Sequence, residues 1–319
     1  MILLVSHAED DHLAPVRSEL ERTGREAVVV DTSLLPTAAT VTAEHGSGDR
    51  WRIGLPDGEI DLSECGSGWW RRPLAPTIDA GVTDPDAYAF AANETHEAMA
   101  GFWDALPIEW ISPPRVIERT MMKTWQLPVA SSLGLRIPRT MVTSDPARAR
   151  EFVESVGVGR VICKAFSAST EAWRETRLVG HAELDQLGQV AVAPVIFQEL
   201  VPAVVDLRVT VVGDEVFAAE ISSQETPYPL DFRLHLDRVP IRATTLPDRL
   251  VDRLLAFVRR AGLRYGAIDL RRTPEGDDVF LEVNPAGQWL FVQERTGQPI
   301  TEAVCRLLGQ LDQSAVRAA

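Results

Sequence analysis

Two apolar runs near the end of the chain, Tyr265-Gly266-Ala267-Ile268-Asp269-Leu270 and Val279-Phe280-Leu281-Glu282-Val283-Asn284-Pro285, flank Pro274-Glu275-Gly276-Asp277. Apolar runs around such a turn predict a β-hairpin. With Glu275 and Gly276 in the turn, Asp269 falls opposite Glu282, and Asn284 shares the face of Glu282. Carboxylates facing each other among Ile, Leu, Phe and Val repel and lose solvation, so few folds tolerate them. Either the hairpin is an edge with its acids in solvent, or a divalent cation lies between them. Two carboxylates and an amide oxygen are hard ligands, the kind that hold Mg²⁺ together with phosphates.

The lysines point the same way. Only Lys123 and Lys164 occur, against thirty arginines. Codon bias accounts for the arginines but not for the two exceptions. A compact ammonium acts on phosphate as a point charge, which the planar fork of Arg does differently. Lys123 opens an apparent helix, and Lys164 ends the apolar strand Val161-Ile162-Cys163-Lys164. Together they suggest a polyphosphate site.

At 319 residues and 45% hydrophobic, the chain can bury a large core and fill two or three domains. Its net charge of −14 argues against nucleic-acid or anionic-membrane partners. Three scattered cysteines without a CxxC pair fit a reducing cytoplasm. The opening run Met1-Ile2-Leu3-Leu4-Val5 reads as a strand rather than a signal peptide, and no stretch is long enough to span a membrane.

Strand–helix–strand patterning over 1–32 opens an α/β domain with a parallel sheet. A hairpin around Pro56-Asp57-Gly58, a strand at Gly68-Trp69-Trp70-Arg71-Arg72-Pro73 and a helix over 86–105 follow, and Pro113-Pro114 marks a boundary. The expected division is 1–112, 113–193 and 194–319. In the second unit, one helix is expected over 116–133, another over 147–156, a strand over 160–166 and a flexible loop over 167–173. The third unit holds a strand over 195–200, a hairpin around Gly213-Asp214, a helix over 248–261, the acid hairpin and a last helix over 300–311.

Phe197-Gln198-Glu199-Leu200-Val201-Pro202 leaves a strand for a loop. Such a segment can offer backbone groups to an adenine edge while Leu200 and Val201 cover its face; taken alone, it reads better as a plain buried strand. Asp206-Leu207-Arg208 and Asp231-Phe232-Arg233 each place an acid and a base on one strand face, a pattern that surface ion pairs also produce. Most of the eight tryptophans read as core, and no histidine spacing suits a metal.

In order and spacing, Lys123, Lys164, Gln198-Glu199-Leu200-Val201, Asp206-Leu207-Arg208, Asp231-Phe232-Arg233, Asp269 and Glu282-Val283-Asn284 resemble the ATP-grasp carboxylate–amine ligases over 113–310. Within them the chain looks most like the peptide-macrocyclising branch, the microviridin or graspetide ligases. Trp69-Trp70-Arg71-Arg72-Pro73 and Asn284-Pro285-Ala286-Gly287-Gln288-Trp289 carry that similarity. Ribosomal-protein glutamate ligases usually have Asn two residues after the Arg of the second Asp-x-Arg; His235 stands there instead.

The resemblance implies an α/β (α+β) ATP-grasp fold: an N-terminal α/β pre-ATP-grasp domain and two α+β lobes enclosing ATP. It implies ATP and Mg²⁺ as cofactors. Lys123 and Lys164 would hold the α- and β-phosphates. Gln198, Glu199, Leu200 and Val201 would frame adenine, and Asp206 would meet ribose. Asp269, Glu282 and Asn284 would carry Mg²⁺. Arg233, with Arg208, would face the γ-phosphate, and Asp231 would position the incoming peptide or nucleophile. The partner would be a ribosomally made precursor peptide with a leader helix and an acidic core, and the enzyme a cytoplasmic homodimer. A glutamate or amino-acid ligase, and a non-catalytic module binding nucleotide and peptide, are the alternatives.

Overall fold

The computed structural model describes residues 1–46, 48–166, 176–228, 236 and 238–318. Four sheets organise them. In the first, Ala27–Val30, Ile2–Val5, Ser67–Trp70 and Glu109–Ile111 lie side by side, all parallel. A parallel sheet must be covered on both faces, and the first strand shows how. Ile2 and Leu4 pack into one core with the helix Leu13–Arg22 and the C-terminal helix Ile300–Ala318. Leu3 and Val5 pack into another with the helix Pro85–Ala105. A three-stranded antiparallel sheet, Thr40–Glu44, Arg50–Leu55 and Gly58–Asp61, contains the expected turn at Pro56–Gly58.

Beyond Pro113 the single helix expected over 116–133 is two helices, Pro114–Met121 and Lys123–Ser132. Met122 breaks them with an extended backbone (φ −70°, ψ 101°), which makes Lys123 the first residue of the second helix. The next sheet is antiparallel, in the order Arg177–Leu178, Val161–Lys164, Val195–Glu199, Thr140–Thr143. Its last strand was not anticipated, because Thr140–Thr143 is short and carries no apolar alternation.

The largest sheet is antiparallel, in the order Ile241–Thr244, Glu215–Ile221, Val205–Val212, Tyr265–Arg272, Asp278–Asn284. Leu207, Val209 and Val211 turn to one face, where the helix Asp248–Ala261 covers them with Leu250, Leu254, Phe257 and Val258. Asp206, Arg208 and Thr210 turn to the other. A short helix, Leu290–Thr296, follows the last strand, and the final helix runs beyond the expected 300–311 to Ala318. Its Ile300, Val304 and Leu308 share a core with Ile2 and Leu4, so the first and last parts of the chain have one apolar interior. Among the described residues, no helix is long and apolar enough to cross a membrane.

Candidate functional site

Asp269 does pair with Glu282, but by a different route from the expected one. The loop holds three residues, Pro274 to Gly276, with Gly276 at φ +86° and Asp278 paired with Arg272. That shifts the register by one relative to a two-residue turn. A bulge beyond Leu270 shifts it back: Phe280 pairs with Leu270, Glu282 with Asp269, and Leu281 is the extra residue. A bulge bends its strand and re-aims side chains. Leu281 and Glu282 consequently both face the same cavity.

That cavity has a volume of about 730 Å³. Lys123 and Lys164 both line it, the first from its helix and the second from the facing sheet, with Gln198, Glu282, Leu127, Thr140 and Ile196. Lys123 Nζ lies 3.4 Å from Glu282 Oε2. Lys164 Nζ donates to Gln198 Oε1 at 3.1 Å, and Gln198 Nε2 to Thr140 Oγ1 at 2.9 Å. The walls are mostly apolar but carry both lysines and Glu282, which suits a flat ring joined to a polyanion.

Beside the cavity, Asn284 Nδ2 donates to Asp269 Oδ2 at 3.2 Å and to Glu282 Oε1 at 3.4 Å, so the three side chains meet. Turned over, the amide would add its oxygen to theirs, a hard donor set that fits Mg²⁺ shared with phosphates. No group of three or more His, Cys, Asp or Glu side chains that could hold a metal ion by themselves occurs among the described residues. Any cation at this pair therefore draws the rest of its shell from amide, water or ligand oxygens. Arg208 Nη1 donates to Asp269 at 2.8 Å, and its Nη2 to the Gln288 carbonyl at 2.9 Å. Burial works against the guanidinium charge, but the Asp269 carboxylate outweighs it and raises the Arg208 pKa.

The remaining expected residues are placed less simply. Glu199 lies outside the cavity lining, its Oε2 accepting from the Arg139 N–H at 3.4 Å. The N–H groups of Glu199 and Leu200 are bonded to Arg139 and Arg160 carbonyls, and the Val201 carbonyl accepts from Arg271 Nη1. Asp206, expected at a ribose, is buried with Oδ1 on Arg271 Nε at 2.8 Å. It and Arg208 make no pair with each other; each finds a cation or acid on the neighbouring strand instead. Asp231, Arg233, His235 and the loop expected over 167–173 lie outside the described residues. Thr140 and Leu281 were missed, since neither residue type signals a site by itself.

A lysine-bearing antiparallel sheet facing an acid-bearing one across a cavity is the layout of an ATP-grasp ligase. Residues 1–118 match the family described as the MvdD pre-ATP grasp domain. No curated protein matches the chain in sequence. Among solved structures, the macrocyclase MdnB from Microcystis aeruginosa is 30% identical, with a TM-score of 0.81, over 96% of this chain and 98% of that one. MdnC from the same organism, bound with precursor peptide MdnA, is 28% identical with a TM-score of 0.87, over 96% and 98%. A Chryseobacterium gregarium RiPP-associated ATP-grasp ligase, in complex with ADP and a leader and core peptide, is 25% identical with a TM-score of 0.88, over 97% and 96%. This chain belongs to the RiPP-associated ATP-grasp macrocyclases.

Proposed function

We propose that the protein is an ATP- and Mg²⁺-dependent ligase that joins side chains of a ribosomally made precursor peptide into macrocycles. The observation that carries the reading is the meeting of Asp269 and Asn284 with Glu282, which lines the same cavity as both lysines. When bound, Mg-ATP would supply the phosphoryl group that turns an Asp or Glu side-chain carboxylate of the precursor into an acyl phosphate with a good leaving group. A Ser or Thr hydroxyl would then give an ester, or a Lys amine an amide.

The protein's part is alignment and charge. Lys123 and Lys164 would hold the α- and β-phosphates, with Gln198 orienting Lys164. The apolar walls, together with Glu199, Leu200 and Val201 at the strand exit, would enclose adenine. Asp269, Glu282 and Asn284 would hold the cation, and Arg208 would hold Asp269 in place. Arg233 is assigned to the γ-phosphate and Asp231 to positioning the peptide, both by resemblance. Asp206 supports Arg271 in this reading, and a ribose contact would require it to leave that pair. We divide the chain at 112 and 193, and place the enzyme in the cytoplasm as a homodimer acting on a peptide with a leader helix and an acidic core.

Intact mass of candidate precursors, incubated with enzyme, ATP and Mg²⁺, tests this. Loss of whole waters, abolished by Lys164→Ala, is the expected result. A gain of one amino-acid residue would indicate a residue-adding ligase instead. ATP turnover on free amino acids with no peptide changed would overturn the peptide reading.

A further inference from the structure

A buried cation from the first 72 residues reaches the loop that follows Asn284. Arg71, in the Trp69–Pro73 segment, is 2% exposed. Its Nη1 donates to the carbonyls of Ala286 and Gly287, the latter at 2.9 Å, and its Nε to Asp10 Oδ2 at 3.3 Å. The rings of Trp69 and Trp289 flank its Cζ at 5.8 and 5.3 Å. Beside it, Nε2 of His12 accepts from the N–H groups of Trp289 (3.1 Å) and Leu290 (3.4 Å), while Nδ1 lies 3.1 Å from Arg71 Nη2. An imidazole so placed is neutral. With its proton on Nδ1, towards Asp10 at 3.3 Å, it can accept both backbone donors.

The loop these groups hold begins at Asn284. Gly287 N donates to the Asn284 carbonyl at 3.1 Å, closing a turn. On the opposite side, the Tyr265 hydroxyl donates to the Gly287 carbonyl at 2.7 Å, and Arg208 to that of Gln288. One loop is thus gripped by Arg71 and His12 from the start of the chain and by Tyr265 and Arg208 from the large sheet. Packing alone does not account for Arg71. Apolar side chains fill the space between tryptophans at less desolvation cost than a guanidinium. They cannot hold two consecutive carbonyls, which a forked cation does.

We infer that Arg71 is a positioning residue: through the Ala286 and Gly287 carbonyls it fixes where the loop sets Asn284 and the Arg208 guanidinium. The inference rests on the metal and nucleotide roles proposed above. It gives the N-terminal unit a part in the chemistry at one remove, through the loop.

ADP binding by calorimetry, without metal and at rising Mg²⁺, tests it on the full chain. Wild-type protein is expected to bind ADP more tightly as Mg²⁺ is added. Arg71→Ala should keep its metal-free ADP affinity within about twofold and need about tenfold more Mg²⁺ for the same gain, the scale of losing an outer support of a metal ligand. Added guanidinium ion should restore part of that gain, and sodium at equal strength should not. Tyr265→Phe removes another donor from the Gly287 carbonyl without unpairing a charge, and keeps the test alive if Arg71→Ala fails to fold. It should raise the Mg²⁺ requirement about two- to fivefold, as one lost hydrogen bond does. A folded variant with the wild-type Mg²⁺ requirement would overturn the inference. So would loss of metal-free affinity in step with it, which marks general damage. Wild type that ignores ADP, or binds it regardless of Mg²⁺, would sink the nucleotide–metal reading and the positioning role with it.

Discussion

Gln198 and Thr140 are joined by a hydrogen bond of fixed polarity. The Thr140 hydroxyl spends its one proton on the Pro138 carbonyl at 3.0 Å, so towards Gln198 it can only accept. Nε2 of the amide must therefore face Thr140, which leaves Oε1 for the ammonium of Lys164. Thr140→Val removes the acceptor and frees the amide to present its NH₂ to the cation. We expect ADP·Mg²⁺ affinity to fall about three- to tenfold, in line with one charge-assisted hydrogen bond, and Thr140→Ser to stay near wild type. Calorimetric titration of both variants decides it; equal affinity for Thr140→Val and wild type would rule the relay out.

Asp269 and Glu282 should respond in opposite directions to loss of charge. Asp269→Asn leaves the buried Arg208 guanidinium without its carboxylate, and breaking such a pair typically destabilises by about 3–5 kcal/mol. Glu282→Gln relieves acid–acid repulsion at the cost of the part-exposed ion pair with Lys123. In metal-free buffer the first variant should melt well below wild type and the second at or above it. Added Mg²⁺ with ADP should stabilise wild type more than either. Two variants that melt alike would show that Arg208 does not depend on Asp269.

Stability should rise with pH up to about 6.5 because of His12. Burial is the main force holding its pKa below the ordinary 6.5, and the Arg71 charge adds to it against the pull of Asp10. The folded state binds fewer protons there than the unfolded one, so this contribution is present above pH 6.5 and fades as pH falls towards the depressed value. One such group changes stability by at most about 1.4 kcal/mol per pH unit. Asp10 acts lower on the scale: burial opposes its ionisation, but His12, Arg71 and Ser6 hold the carboxyl well below its ordinary 3.8. Its contribution is present above that value and is lost in stronger acid. Thermal melts from pH 8 to 5 should slope down more for wild type than for His12→Asn; parallel slopes would exclude His12 as the cause.

Gly287 has no room for a methyl group. A Cβ there would meet the Ala267 Cβ at 2.5 Å and Arg208 Nη2 at 2.9 Å. Gly287→Ala should destabilise by about 1–3 kcal/mol, the usual range for overpacking. It should also weaken the Mg²⁺ dependence of ADP binding by pushing Arg208 off Asp269. A neutral substitution, read by denaturant titration and ADP binding, would show that the loop can lift without consequence.

The regular elements were legible where alternation or helical spacing is strong: the helix Asp248–Ala261 and the hairpin at Gly213 fall where the pattern puts them. Asp269 opposite Glu282 was also legible, though through two one-residue shifts that cancel, a three-residue turn and a bulge at Leu281. Neither shift has a signature in composition. What sequence could not give was the partner of each charge. Arg208 meets Asp269, and Asp206 meets Arg271, only because strands 60 and more residues apart lie side by side. The break at Met122 was hidden too, since nothing but the backbone's turn out of helix separates two helical patterns there. His12 gave no signal at all; its partners Trp289 and Leu290 are 277 and 278 residues away.

The shared interior of Ile2, Leu4, Ile300, Val304 and Leu308 sets a limit on recombination. A chimera that exchanges residues 1–112 with those of a related ligase would mate a foreign sheet to the resident C-terminal helix. The junction that respects the packing is discontinuous: the first unit travels with Ile300–Ala318, or stays behind with it. Transplanting the front of the chain alone should yield insoluble protein, whatever peptide the donor recognised.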